Sequence, residues 1–193
     1  MKNLVPFFMS LLFLFSGIRT IAQTDTSDYV IVVRLKTAKN QIRAAEETGN
    51  KELAKTLRLE TRGSNMEIVR AFRENLGSKV FFIYSSDYKN LKQGKTDSIF
   101  LNESLEVDLA LKPDLSNYYV AFWGNSPGTG MSVIMLLDQN FEETEIWVRT
   151  FGLSPANFKR IAPQVKKFCD KLYEKIPKYL DKKKRQDEKQ KKG

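Results

Sequence analysis

Three acidic residues, Glu142, Glu143 and Glu145, come nearest to a catalytic or cation-binding cluster in this chain. Paired carboxylates can act as acid, base or nucleophile without any histidine, so such a cluster is one route to chemistry. Asp138, Asn140 and Glu142 also alternate like the opening ligands of a calcium loop. An EF-hand, however, needs glycine at its sixth position and a bidentate glutamate at its twelfth, where this chain has Glu143 and Arg149. A turn carrying solvated acids is the simpler reading, and no metal ligand is assigned.

Two further stretches invite chemistry. Gly124–Gly130 (GNSPGTG) is rich enough in glycine to present backbone N–H groups to a phosphate, but it lacks the Gly-Lys-Ser/Thr ending of a P-loop. Met131–Leu137, next in the chain, reads as a strand, whereas a phosphate-cradling glycine run must open a helix. The glycine run is therefore read as a hairpin turn with no cofactor. Cys169, the single cysteine, falls between Phe168 and Leu172 on the apolar side of a helix and is expected to be a buried small hydrophobe. Lys166, Lys167 and Lys171 leave a reactive thiol as its alternative. Histidine is absent altogether, which excludes imidazole bases, Ser-His-Asp and Cys-His pairs and HExxH zinc sites. No catalytic, cofactor-binding or metal residue is assigned.

The address is clearer than the chemistry. Lys2, the apolar run Leu4–Phe15 and the small residues ending at Ala22 have the form of a secretory signal peptide, with cleavage expected after Ala22. The run is short for a membrane span, and polar residues come directly after it. No cysteine stands at the cleavage site to carry a lipid anchor, so the chain is expected to be periplasmic or secreted with no transmembrane segment after processing. Residues 23–180 then form one domain and 181–193 a basic tail. The formal charge is +9, and the tail alone contributes seven basic against three acidic residues. That leaves the folded body weakly basic, which argues against a nucleic-acid partner. The lysine-rich tail is expected to be disordered or a frayed helix, able to make weak contact with an anionic surface.

Apolar patterning supplies the elements. Tyr29–Leu35 (YVIVVRL) reads as a strand covered on both faces, and Lys36–Gly49 as a short helix with Thr37 as its N-cap. Asn50–Leu76 carries Leu53, Leu57, Ile68, Phe72 and Leu76 on one helical face, with a kink or break expected at Gly63. Its other face interleaves arginines and lysines with glutamates, as solvated surface does. Lys79–Tyr84 and Ser98–Asn102 read as strands. Asn117–Gly124 and Met131–Leu137 form a hairpin at the centre of the sheet. Glu145–Phe151 comes next as a strand on which Trp147 covers a core edge. A last helix opens at Ser154-Pro155 and bends or ends at Pro177. The expected fold is α/β (α+β), a single domain with a central, mostly antiparallel sheet and the hairpin at 117–137. Helices at about 38–76 and 154–180 pack against it.

The succession YVIVVRLKT, glycine-interrupted charged helices, AFREN, VFFIYSSD and IFLN is similar to uncharacterised secreted or periplasmic bacterial proteins of unknown function, over Tyr29 to Phe151. The element order also resembles a thioredoxin-like layout without its cysteine pair. Neither likeness implies a site. The function expected is a non-enzymatic extracytoplasmic domain binding a protein partner or a cell-envelope component. An enzyme using carboxylate or Ser/Lys chemistry is the alternative.

Overall fold

The computed structural model describes residues 29–126, 129–153 and 155–190. Five strands, β1 (Val30–Leu35), β2 (Val80–Tyr84), β3 (Tyr118–Asn125), β4 (Ser132–Leu137) and β5 (Glu143–Arg149), form one sheet in the order β2-β1-β3-β4-β5. β1 runs parallel to both neighbours, with Ile31 beside Val80 on one side and Tyr119 on the other. The β3–β4 and β4–β5 pairs are antiparallel. The result is a single-domain α/β fold on a mixed sheet, its pairings divided evenly between the two senses rather than mostly antiparallel. The hairpin sits where the sequence places it, with Val120 opposite Leu137 and Asn125 opposite Ser132.

Each face of the sheet has its own apolar cluster, which is why β1 is almost uninterrupted in its apolar character. Ile31, Val33 and Leu35 face α2 (Lys51–Leu76) and α4 (Ile161–Gln190), together with Phe72, Val165, Phe168 and Leu172. Val32 faces the other way, with Ile83, Leu91, Phe100, Val120 and Met135. That second face is covered by the short helix α3 (Tyr88–Lys92) and by the irregular chain beyond it. Ser98–Asn102 is not a strand. Phe100 and Leu101 make isolated bridges to Ile83 and Val107, and the segment is held by burial of Ile99, Phe100 and Leu101 instead of a ladder.

Several helix details depart from expectation. The first helix, α1 (Lys39–Glu47), is preceded by Ala38 in the left-handed region at φ 49°, and no side chain caps it, so Thr37 is not the N-cap. Asn50 does cap α2, accepting from Leu53 N at 3.0 Å. α2 passes Gly63 without a break. The missing side chain there receives the Phe158 ring: a Cβ at Gly63 would lie 3.0 Å from Phe158 Cε2. The thinned stripe nearby buries polar groups, with Ser64 Oγ donating to Thr61 O and Asn65 Nδ2 donating to Lys36 O at 2.7 Å. Leu53, expected on the apolar face, is exposed. Trp147 is also turned outward, 42 % exposed, because β5 buries Thr144, Ile146 and Val148 on its inner side. A six-residue 3₁₀ segment, Pro155–Arg160, leads into α4, which continues through Pro177 to Gln190. The expected N-cap Ser154 and the signal peptide lie outside the described residues, and among those described no helix is long and apolar enough to cross a membrane.

Candidate functional site

The sheet topology itself creates a crevice. β1, β2 and β3 are parallel and end on the same side, at Leu35, Tyr84 and Asn125. The chain leaves β1 toward β2 and leaves β3 toward β4, so the departing segments diverge between neighbouring strands. Open α/β sheets bind ligands at such a switch point, outside the carboxyl ends of the strands. Here a cleft of about 950 Å³ opens at that position. Its wall includes Arg34, Lys36, Lys39 and Glu60, the serines Ser85 and Ser86 just past β2, and the apolar side chains Leu57, Leu153 and Phe158.

Arg34 is the best-defined cation in the cleft. It stands in cross-strand register with Ile83 and Phe122, on the face of β1 that also carries Val32. Its guanidinium carbon lies 4.6 Å from the centre of the Tyr88 ring and 5.2 Å from that of Phe122. Aromatic faces attract a guanidinium and hold its plane without consuming its N–H donors. No carboxylate pairs with it among the described residues. Burial raises the Tyr88 phenol above its ordinary pKa, and the Arg34 cation partly offsets that shift. Phe122 reaches Arg34 because Gly124 is bare: a Cβ at Gly124 would lie 2.5 Å from Phe122 Cε2.

The turn from β1 into α1 supplies further donors. The first intrahelical bond of α1 runs from Ile42 N to Ala38 O at 2.9 Å, so the amides of Lys39, Asn40 and Gln41 precede the helical ladder. All three residues line the cleft. The buried Asn65 anchors this turn through its bond to Lys36 O. Its Oδ1 has no partner among the described residues. Lys36 reaches solvent at the cleft mouth, yet enough protein surrounds it for desolvation to lower its pKa. Uncompensated N–H groups, a positive helix end and three cations together make a field suited to an anion.

The residues singled out from sequence lie elsewhere. Glu142, Glu143 and Glu145 are exposed at the start of β5, the end of that strand away from the cleft, and Glu145 pairs with Lys182 at 3.2 Å. Asp138 closes the preceding turn, its Oδ1 accepting from Asn140 N and Glu142 N and its Oδ2 from the Tyr179 hydroxyl. No group of His, Cys, Asp or Glu suited to a metal occurs among the described residues. Cys169 is 1 % exposed, and burial pushes its thiol up to about 12, so it packs as a hydrophobe and is not a nucleophile at neutral pH. The Gly124–Gly130 loop forms a turn whose stem is closed by Ser126 N to Met131 O at 2.8 Å; Pro127 and Gly128 lie outside the described residues. Sequence reasoning passed over Arg34, Lys36, Lys39, Ser85 and Ser86. The available signal was a charge, Arg34, interrupting an otherwise apolar strand just before a helix.

No protein-family model, curated protein or solved structure matches the chain.

Proposed function

We propose that the protein is a secreted or periplasmic, non-enzymatic α/β domain that binds an anionic partner or cell-envelope component in the cleft at the ends of β1, β2 and β3. One observation carries this reading. Arg34 is fixed between two rings with no carboxylate partner among the described residues, in a cleft whose other named charges are Lys36, Lys39 and Glu60. A half-buried guanidinium without an internal counter-charge keeps N–H donors to spare, and an anionic ligand supplies the missing partner. The basic end of α4 lies near Asp138 and Glu145, at the end of the sheet away from the cleft. A tail resting on an anionic surface would therefore leave the cleft open.

The experiment is retention of a solubilised envelope fraction on the immobilised chain, compared with an Arg34→Glu/Lys36→Glu variant of verified fold. A component held by the native chain, released by salt and absent from the variant is the expected outcome. Equal retention by both would overturn the reading. A Ser/Lys hydrolase is the second reading, favoured by the lowered Lys36 pKa in a cleft that also holds Ser85 and Ser86. Among the described residues no hydrogen bond joins Lys36 to either serine. Labelling of Ser85 or Ser86 by a fluorophosphonate probe, lost in Lys36→Met, would establish that enzyme instead.

A further inference from the structure

The balance of charge and donors in the cleft narrows the anion. Arg34, Lys36 and Lys39 against Glu60 leave a surplus of two positive charges among these residues. A phosphate monoester carries about −1.5 to −2 at neutral pH and three acceptor oxygens, whereas a carboxylate carries one charge on two oxygens. The donors also exceed what a carboxylate can use. They are the Arg34 fork, the α1 amides of Lys39, Asn40 and Gln41, and the hydroxyl of Ser85; the Ser86 hydroxyl instead donates to Asp87 Oδ2 at 3.2 Å. A cleft of about 950 Å³ is far larger than a phosphate alone, and Leu57, Leu153 and Phe158 give its remaining space an apolar wall.

The geometry points to a phosphate monoester with an apolar or ring-bearing body as the class of ligand, its phosphate met by Arg34 and the α1 amides and its body lying along Leu57, Leu153 and Phe158. This rests on the binding-domain reading above and names its ligand. The Arg34 fork presents two parallel N–H donors to two oxygens, which a lysine ammonium cannot reproduce. Gly124 belongs to the same device, because it makes room for the ring that holds the fork in place.

The test is titration of the full purified chain with phenyl phosphate, inorganic phosphate and benzoate, read from the amide resonances of Lys39, Asn40 and Gln41. Phenyl phosphate is expected to saturate those shifts at least tenfold more tightly than inorganic phosphate, with benzoate weaker than both. Arg34→Lys, which keeps the charge and loses the fork, should weaken phenyl phosphate at least tenfold. Glu60→Gln should tighten it severalfold. Should Arg34→Lys perturb the fold, the Glu60→Gln gain and the order of the three probes still decide. Benzoate binding as tightly as phenyl phosphate, inorganic phosphate matching phenyl phosphate, or an Arg34→Lys variant indistinguishable from the native chain would each overturn the assignment. An envelope component that shifts the same amides while phenyl phosphate does not would sink this inference alone. Failure of every envelope fraction to shift them would remove the binding-domain reading as well.

Discussion

Ala38 holds a left-handed backbone at φ 49° without a glycine's freedom, at the mouth of the cleft. That conformation costs a residue with a Cβ about 1 kcal/mol, and backbone outliers collect where a site must be shaped. Ala38→Gly should therefore raise stability by about 0.5–1 kcal/mol in urea unfolding, against the usual penalty for glycine near a helix. A loss of stability would mean that the surrounding turn favours the alanine. Cys169 makes a second prediction, with its sign fixed by burial. Its thiol is held at about 12 in the fold against an ordinary 9.0, so between those values the unfolded chain gives up a proton that the native chain keeps. Its contribution to stability is whole below about pH 9 and falls as pH rises toward 12, at most about 1.4 kcal/mol per pH unit. Cys169→Ala should flatten that part of the alkaline stability profile, and Cys169→Ser should cost about 1–3 kcal/mol at neutral pH by burying an unpartnered hydroxyl. Rapid maleimide labelling of the native thiol would contradict both. The burial of Cys169 was legible because its neighbours repeat at helical spacing. The setting of Arg34 over Tyr88 and Phe122 was not, since a single cation in a strand has the same sequence signature whether it faces solvent or a pair of rings.

Contacts distant in sequence decided what local pattern could not. Gly63 marks a break by propensity, yet α2 stays whole because Phe158, nearly a hundred residues on, fills the space beside it. Pro177 costs about 3 kcal/mol inside a helix, and burial of Ile176 with packing of Tyr179 and Leu180 against the core offsets it. Ser98–Asn102 has a strand's composition without a strand's partner. The hairpin, β1 and β2 were legible because β-branching and turn chemistry act over a few residues; Asn50 was legible only as the start of α2, and its capping bond to Leu53 N came from the structure. The cleft was not, because it exists only where strands separated by tens of residues end together. Within β3, Gly124→Ala should cost about 1–3 kcal/mol, since the new Cβ drives the Phe122 ring from its place. Combining it with Phe122→Leu should give a loss smaller than the sum of the two single changes, as expected of directly opposed groups. Additive losses in that double-mutant cycle would show that the ring is not what Gly124 accommodates.

The molecule has a packed body and a charged extension whose roles in stability are separable. Beyond Leu180, α4 reaches back to the sheet through the pair Lys182 and Glu145, and both side chains are largely exposed. Such pairs contribute about 0–1 kcal/mol, so a chain ending at Leu180 should melt within a few degrees of the full one. A loss above about 1 kcal/mol in chemical unfolding would mean that the basic segment is docked on the body. The path of β1 has a different consequence, for how the fold is reached. This strand is the first of the five to be synthesised, yet its partners β2 and β3 lie roughly 50 and 90 residues further along, and pairings so distant slow folding. Until β2 has emerged, both edges of this apolar strand are unsatisfied, and one remains so until the hairpin follows. The interval before closure is therefore the time at which this protein is most exposed to aggregation and most in need of a chaperone.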